Sequence, residues 1–269
     1  MTSSATAFTP NVRRAVILAA GMGTRLGLGP DSGTCLPKPL LPVRGVPLLV
    51  WVSNALFRAG ISRVTLVVGF EGQRIQDFVL SSEHLPPISF DFVWNNEWRR
   101  SNGLSLLKAR QAVAEPFALL MSDHLFEDRL LRGLLAAPLC HGEVVLAIDR
   151  RITEVFDLDD ATKVKTDGTR IVAIDKALED YNAVDCGLFV CRPAIFDALE
   201  EALVDGDCSL SDGMRLLAAK GRFRAHDIGD AFWQDVDTPE MLAHAERQLF
   251  TQEAAGLAGG GLHCVDEGD

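Results

Sequence analysis

The feature that most restricts this chain is a short apolar run near its start that ends in glycines. Ala15-Val-Ile-Leu-Ala19 shows no alternation and gives way to Ala20-Gly21. That is the pattern of a strand buried on both faces, which a sheet achieves only with a layer of helices on each side. The following segments keep the rhythm, with helical spacing over 47–59, a second apolar run over 63–68, a helix over 71–80, and a partly alternating strand over 88–94. A helix over 103–113 and a strand over 117–121 complete it. Strands alternating with helices at this interval predict a Rossmann-like α/β fold of three α/β/α layers.

After Asp123 the rhythm changes. A helix (127–136) leads to a strand (143–148). Two runs, 161–165 and 171–174, then flank Thr166-Asp-Gly-Thr169, whose Asp-Gly is a hairpin signal. A strand ending at 191, helices over 193–204 and 210–219, a strand over 223–228 and a helix over 238–250 follow, so the sheet is expected to be mixed but mostly parallel. There is no internal repeat and no linker with a composition shift. Residues 12–250 therefore read as one domain, between a flexible segment 1–11 and a flexible tail 251–269 that carries the run Gly259 to Gly261 and an acidic end.

Charge limits the partners. With 26 Lys+Arg against 37 Asp+Glu the net charge is −11, so the long-range field repels polyphosphates. Nucleic acid and anionic membranes are excluded as general partners. Any bound anion needs a local device. The six cysteines show no metal-site spacing, the start lacks a signal-peptide pattern, and no apolar run reaches a membrane span. These features predict a cytoplasmic protein with free thiols; homo-oligomers stay open.

The local device is sought in Leu18-Ala-Ala-Gly-Met-Gly-Thr-Arg25-Leu-Gly27. Glycines at the carboxyl end of a strand let backbone N–H groups approach a phosphate, although Gly-x-Gly alone can be a tight β-to-α turn. Arg25 stands where a dinucleotide fingerprint needs its third glycine. Pro30, Pro37, Pro39 and Pro42 forbid the immediate helix, and no Walker Gly-Lys-Ser/Thr is present. The loop with Arg25, and Lys38 in Leu36-Pro-Lys-Pro-Leu40, suggests a triphosphate wrapped by an extended segment with two cations.

Asp123 follows the central strand 117–121, and Asp235 and Asp237 precede the last helix. Carboxylates converging from distant loops suit Mg²⁺, which takes one or two of them plus phosphate oxygens. Asp237 equally fits a helix cap. Asn95 to Ser105 lies between strand and helix, where side-chain amides can read a base edge, or where Ser101 or Asn102 simply caps the helix. Lys163 and Lys165 share one side of a strand, either steering phosphate or forming a solvated face.

These motifs, in this order from Ala15 to about Glu246, resemble the nucleotidyltransferases that join a nucleoside triphosphate to a sugar, polyol or choline phosphate. The signature is Leu18 to Leu26 followed by Pro37-Lys-Pro-Leu-Leu-Pro42. Asn102-Gly-x-Ser105, Met121-Ser-Asp-His124, Asp160 to Lys165, Lys176 to Tyr181 and Val184 to Phe189 resemble most the cytidylyltransferases acting on L-myo-inositol 1-phosphate.

The resemblance implies CTP as nucleotide, with Ala19, Ala20, Gly21, Gly23 and Thr24 around it and Asn102 and Ser105 near base and ribose. It implies Arg25 and Lys38 as catalytic cations, Asp123 and Asp235 as Mg²⁺ ligands, and Lys165, Lys176 and Asp185 toward the acceptor. The products would be CDP-inositol and pyrophosphate. Alternative acceptors are a sugar 1-phosphate, phosphocholine or a phosphonate, with CTP or another nucleotide. Ser122 replaces the glycine of the glucose and thymidylyl branches, and Asp175-Lys-Ala replaces their Glu-Lys-Pro. His124 could order Asp123, touch the acceptor or pack. Some relatives fuse this domain to a membrane-embedded synthase; here the downstream enzyme is expected to be a separate protein.

Overall fold

The computed structural model describes residues 11–27, 36–140 and 142–254. Expectations for 1–10, 28–35 and 255–269, Pro30 among them, lie outside the described residues. The first half comprises β1 (Arg14–Ala19), the short strands β2 (Pro42–Val43) and β3 (Val46–Pro47), α1 (Leu48–Arg58), β4 (Arg63–Val68), α2 (Gly72–Ser81), β5 (Ser89–Trp94) and α3 (Asn102–Lys108). Then come β6 (Phe117–Met121), β7 (His124–Phe126), α4 (Asp128–Leu135), β8 (Val144–Asp149), β9 (Lys163–Asp167), β10 (Arg170–Asp175) and β11 (Ala183–Cys191). The chain continues through α5 (Ala194–Glu201), α6 (Leu210–Ala219), β12 (Phe223–Asp227), β13 (Trp233–Asp235) and α7 (Pro239–Ala254).

Nine strands form one sheet in the order β5-β4-β1-β6-β11-β8-β12-β10-β9. Pairing is parallel across β5-β4-β1-β6 and between β8 and β12, and antiparallel on both sides of β11. The sheet is thus mixed as expected but not mostly parallel, because β9 to β12 add antiparallel partners until five of its nine pairings are antiparallel. Burial on both faces explains the unbroken apolar runs. In β1, Val16 and Leu18 enter one core with Leu106 of α3, Phe196 of α5 and Met214 of α6. Ala15, Ile17 and Ala19 enter another with Leu49 and Leu56 of α1, Ile75 of α2 and Leu131 of α4.

The Asp-Gly turn closes the β9–β10 hairpin, with Gly168 at φ 58°. Several boundaries shift by up to three residues, and two shift by more. α3 stops at Lys108, and only a single 3-10 turn, Arg110–Ala112, continues it toward the buried, extended Val113. α7 continues to Ala254, past the expected end at 250. β7 and β13 pair as a separate two-stranded ribbon; at three residues each they are too short to leave a periodic trace. No helix among the described residues is long and apolar enough to cross a membrane. Among the described residues, Cys186, Cys191 and Cys208 are buried free thiols.

Candidate active site

β1 lies where the strand order reverses, with β4 and β5 to one side and β6 to the other, and ligands of open α/β sheets bind at such a point. The glycine loop leaves β1 here. Ala20 accepts the Phe70 N–H at 3.0 Å, and Gly23 takes a left-handed φ of 66° before the 3-10 turn Thr24–Leu26. A side chain at Gly23 would be strained, so the loop keeps its sharp turn only with glycine there. Among the described residues nothing lies within 4 Å of the side-chain position at Gly21.

From this loop Arg25 reaches two carboxylates, Asp160 at 2.5 Å and Asp237 at 2.5 Å. Lys38, almost fully buried, places its ammonium 2.5 Å from Asp123 and also against Asp237. Burial opposes the charge on Lys38, but the two aspartates more than offset it and hold the ammonium above its usual range. Burial likewise opposes ionisation of Asp123, yet Lys38 and His124 hold its carboxyl far below the usual range. Asp237 is therefore part of the charge cluster. Helix α7 is started instead by Thr238, whose hydroxyl accepts the Met241 N–H at 3.2 Å.

Asp123 and Asp235 arrive on one ribbon. β7 pairs with β13 so that His124 faces Asp235, and the Val236 N–H donates to the Asp123 carbonyl at 2.9 Å. Oxygens of Asp160, Asp235 and Asp237 lie within 4.8 Å of one another, a group that could hold a metal ion. Asp123 is turned toward Lys38 and His124 instead. Burial, with Asp237 and Asp123 nearby, raises the Asp235 carboxyl above its usual range. Such crowding of hard oxygen donors fits a divalent cation.

These carboxylates border a cavity of about 690 Å³, whose walls also include Asn102, Lys176, Asp185, Phe156 and Trp233. Lys176 bonds Asp160 at 2.7 Å, so that one carboxylate joins the Lys176 ammonium to the Arg25 guanidinium. Asp185 accepts the Gly187 N–H at 2.7 Å; burial pushes its carboxyl up to about 6. Asn102 uses its side-chain oxygen to accept the N–H of Leu210 at 2.8 Å, tying α3 to the start of α6.

The structure does not bring Ser105 or Lys165 to this cavity. Ser105 is buried and its hydroxyl receives an Asn95 N–H at 2.9 Å, because the loop after β5 needs that amide held. Lys165 pairs with Asp180 at 2.5 Å beside β9, while Lys163 donates to the Asp159 carbonyl. Sequence reasoning missed Asp160, which follows no strand and starts no helix. It also missed Phe156, stacked on His244 with ring centres 4.3 Å apart at the cavity wall. Asp160 opened a motif that carried the resemblance, but only the run of carboxylates Asp157, Asp159 and Asp160 hinted at a charged role for that segment.

The chain is 34% identical over 247 residues to a bifunctional IPC transferase and DIPP synthase of Rubrobacter xylanophilus, covering 91% of this chain and 54% of that protein. It therefore spans about half the length of that relative. A CMP-5'-(3-aminopropyl)phosphonate synthase of Streptomyces rubellomurinus is 32% identical, with 84% of this chain and 37% of the relative covered. Among solved structures, the inositol-1-phosphate CTP transferase from T. maritima superposes with a TM-score of 0.79 at 26% identity, over 93% of this chain and all of that one. The MobA-like NTP transferase domain model matches residues 15–223, and the chain belongs to that family.

Proposed function

We propose that this protein is a cytoplasmic cytidylyltransferase that joins CTP to a polyol phosphate, L-myo-inositol 1-phosphate being the acceptor best supported, and that residues 12–250 form its catalytic unit. The observation that carries the reading is Lys38 held between Asp123 and Asp237, with Arg25 beside it, at the mouth of the glycine loop. The likeness to the T. maritima inositol-1-phosphate CTP transferase supports the acceptor.

In the proposed reaction an acceptor phosphate oxygen attacks the α-phosphorus of CTP. A new P–O bond forms, the bond to the bridging oxygen breaks, and pyrophosphate leaves. A phosphate is already ionised near pH 7, so positioning and charge neutralisation suffice. Backbone of Ala19, Ala20, Gly21, Gly23 and Thr24 flanks the nucleotide. Arg25 and Lys38 exchange their carboxylate partners for phosphate oxygens. Lys176 receives the acceptor phosphate, Asp185 accepts acceptor hydroxyls, and the Asn102 amide N–H groups stay available to the base. Asp123 and Asp235, with Asp237 adjacent, would hold Mg²⁺, which when bound offsets charge on the reacting phosphates.

A pyrophosphate-release screen of four nucleoside triphosphates against inositol 1-phosphate, hexose 1-phosphates, phosphocholine and 2-aminoethylphosphonate tests this. Release with CTP and inositol 1-phosphate alone is expected; preference for another pair refutes the assignment. A phosphonate acceptor is the second reading, favoured by the Streptomyces relative.

A further inference from the structure

His124 has no part in the reaction as written, yet the fold goes to some length to seat it. Its Nδ1 lies 2.6 Å from Oδ1 of Asp123, the oxygen that Lys38 does not take. Its ring stacks on Trp233 with centres 6.3 Å apart and planes 14° from parallel. Trp233 is fixed in turn, its indole N–H donating to the buried Asp149 at 2.9 Å, and Asp149 is gripped by Arg151 at 2.8 Å. On the far side, pairing of β11 with β8 shifts between Asp185–Ile148 and Phe189–Leu146, so β11 bulges at Gly187, where φ is 74°. A Cβ at Gly187 would sit 2.3 Å from His124 Nε2. Bulges beside active sites commonly re-aim side chains. This one opens a notch into which the imidazole fits edge-on.

We infer that His124, clamped between the Gly187 notch and Trp233, is a positioning residue that fixes the Asp123 carboxylate so that the oxygen Lys38 holds in this structure faces a divalent cation when Lys38 leaves it. This rests on the metal role proposed for Asp123. Second partners of ligating carboxylates set metal affinity by fixing ligand orientation, and their loss weakens binding about 10- to 100-fold.

The test is Mn²⁺ binding to the full chain by isothermal titration calorimetry, with the melting temperature measured alongside. His124→Phe keeps a ring on Trp233 but loses the Nδ1 donor, and its Mn²⁺ affinity is expected to fall about 10-fold or more with little change in melting temperature. His124→Asn, whose amide can reach the same carboxylate oxygen, is expected to recover most of it. Gly187→Ala, which pushes the ring from the notch, is expected to reproduce the loss and stands in should His124→Phe fail to fold. Wild-type affinity in His124→Phe or in folded Gly187→Ala, while Asp123→Asn binds poorly, overturns the positioning role. Unchanged binding in Asp123→Asn overturns the metal role beneath it, and the positioning role with it.

Discussion

Replacing Asp185 with asparagine should make the ligand-free protein more stable, by an amount that depends on pH. Burial lifts the Asp185 carboxyl from 3.8 to about 6. Between those values the folded chain binds more protons at this site than the unfolded chain, so stability falls as pH rises through the window and levels off above it. At about 1.4 kcal/mol per pH unit the cost reaches roughly 1.5 kcal/mol at pH 5 and roughly 3 kcal/mol above pH 7. Asparagine cannot ionise, and its side-chain oxygen can still accept the Gly187 N–H. The variant should therefore gain up to about 3 kcal/mol at pH 8, less the lost attraction to His124, or about 6–12 °C in melting temperature. Urea unfolding of both proteins at pH 5 and pH 8 measures it. A difference that is the same at both pH values, or a variant less stable at pH 8, refutes the argument. Its turnover with inositol 1-phosphate should fall through a higher KM for the acceptor.

Lys38→Met should lower kcat by about 100- to 1,000-fold. It should also destabilise the metal-free protein by about 3 kcal/mol, since Asp123 and Asp237 lose their shared cation; a Tm that fails to recover on adding Mg²⁺ would count against the cluster. Ser105→Ala should cost about 1–3 kcal/mol by stranding the buried Asn95 amide, read by chemical denaturation. His226 is held below its usual 6.5 by burial, so the unfolded chain takes up that proton first and the native protein loses stability as pH falls through 6.5. His226→Gln should flatten this acid limb of a Tm–pH profile; an unchanged limb would exclude the histidine as its source.

Local pattern carried far in this chain. The runs at 63–68 and 117–121 and the helix at 210–219 coincide with β4, β6 and α6, because each is bounded by polar or glycine punctuation and packed on a core. Gly23, Arg25 and Asp123 could be named because they follow the apolar runs at 15–19 and 117–121, Asp235 because it precedes the last helix, and Lys38 because it sits in a proline-framed motif of the family's signature. Asp160 could not, since its importance comes from meeting Arg25 and Asp237 across the chain. Asn102 was placed in the right loop, but its tie to Leu210 spans 108 residues and follows from packing alone. Ser105 read as a ligand contact because burial is invisible in a short polar motif. Asp237 was ambiguous for a similar reason, as a residue before Thr-Pro-Glu looks the same whether it starts a helix or faces a lysine.

The β7–β13 ribbon has a consequence for how such an enzyme can diversify. It registers Asp235 against His124, ties Val236 to the Asp123 carbonyl, and ties Glu127 to Phe232 at 3.0 Å. The spacing of the two carboxylate-bearing segments is thus set by main-chain pairing rather than by the side chains around the cavity. The cavity walls at Glu154, Val155, Phe156 and Ile174 lie on other parts of the chain. They can be exchanged by substitution without re-tuning the charged centre, so under the proposed function acceptor range and reaction chemistry would be separately heritable traits in this fold.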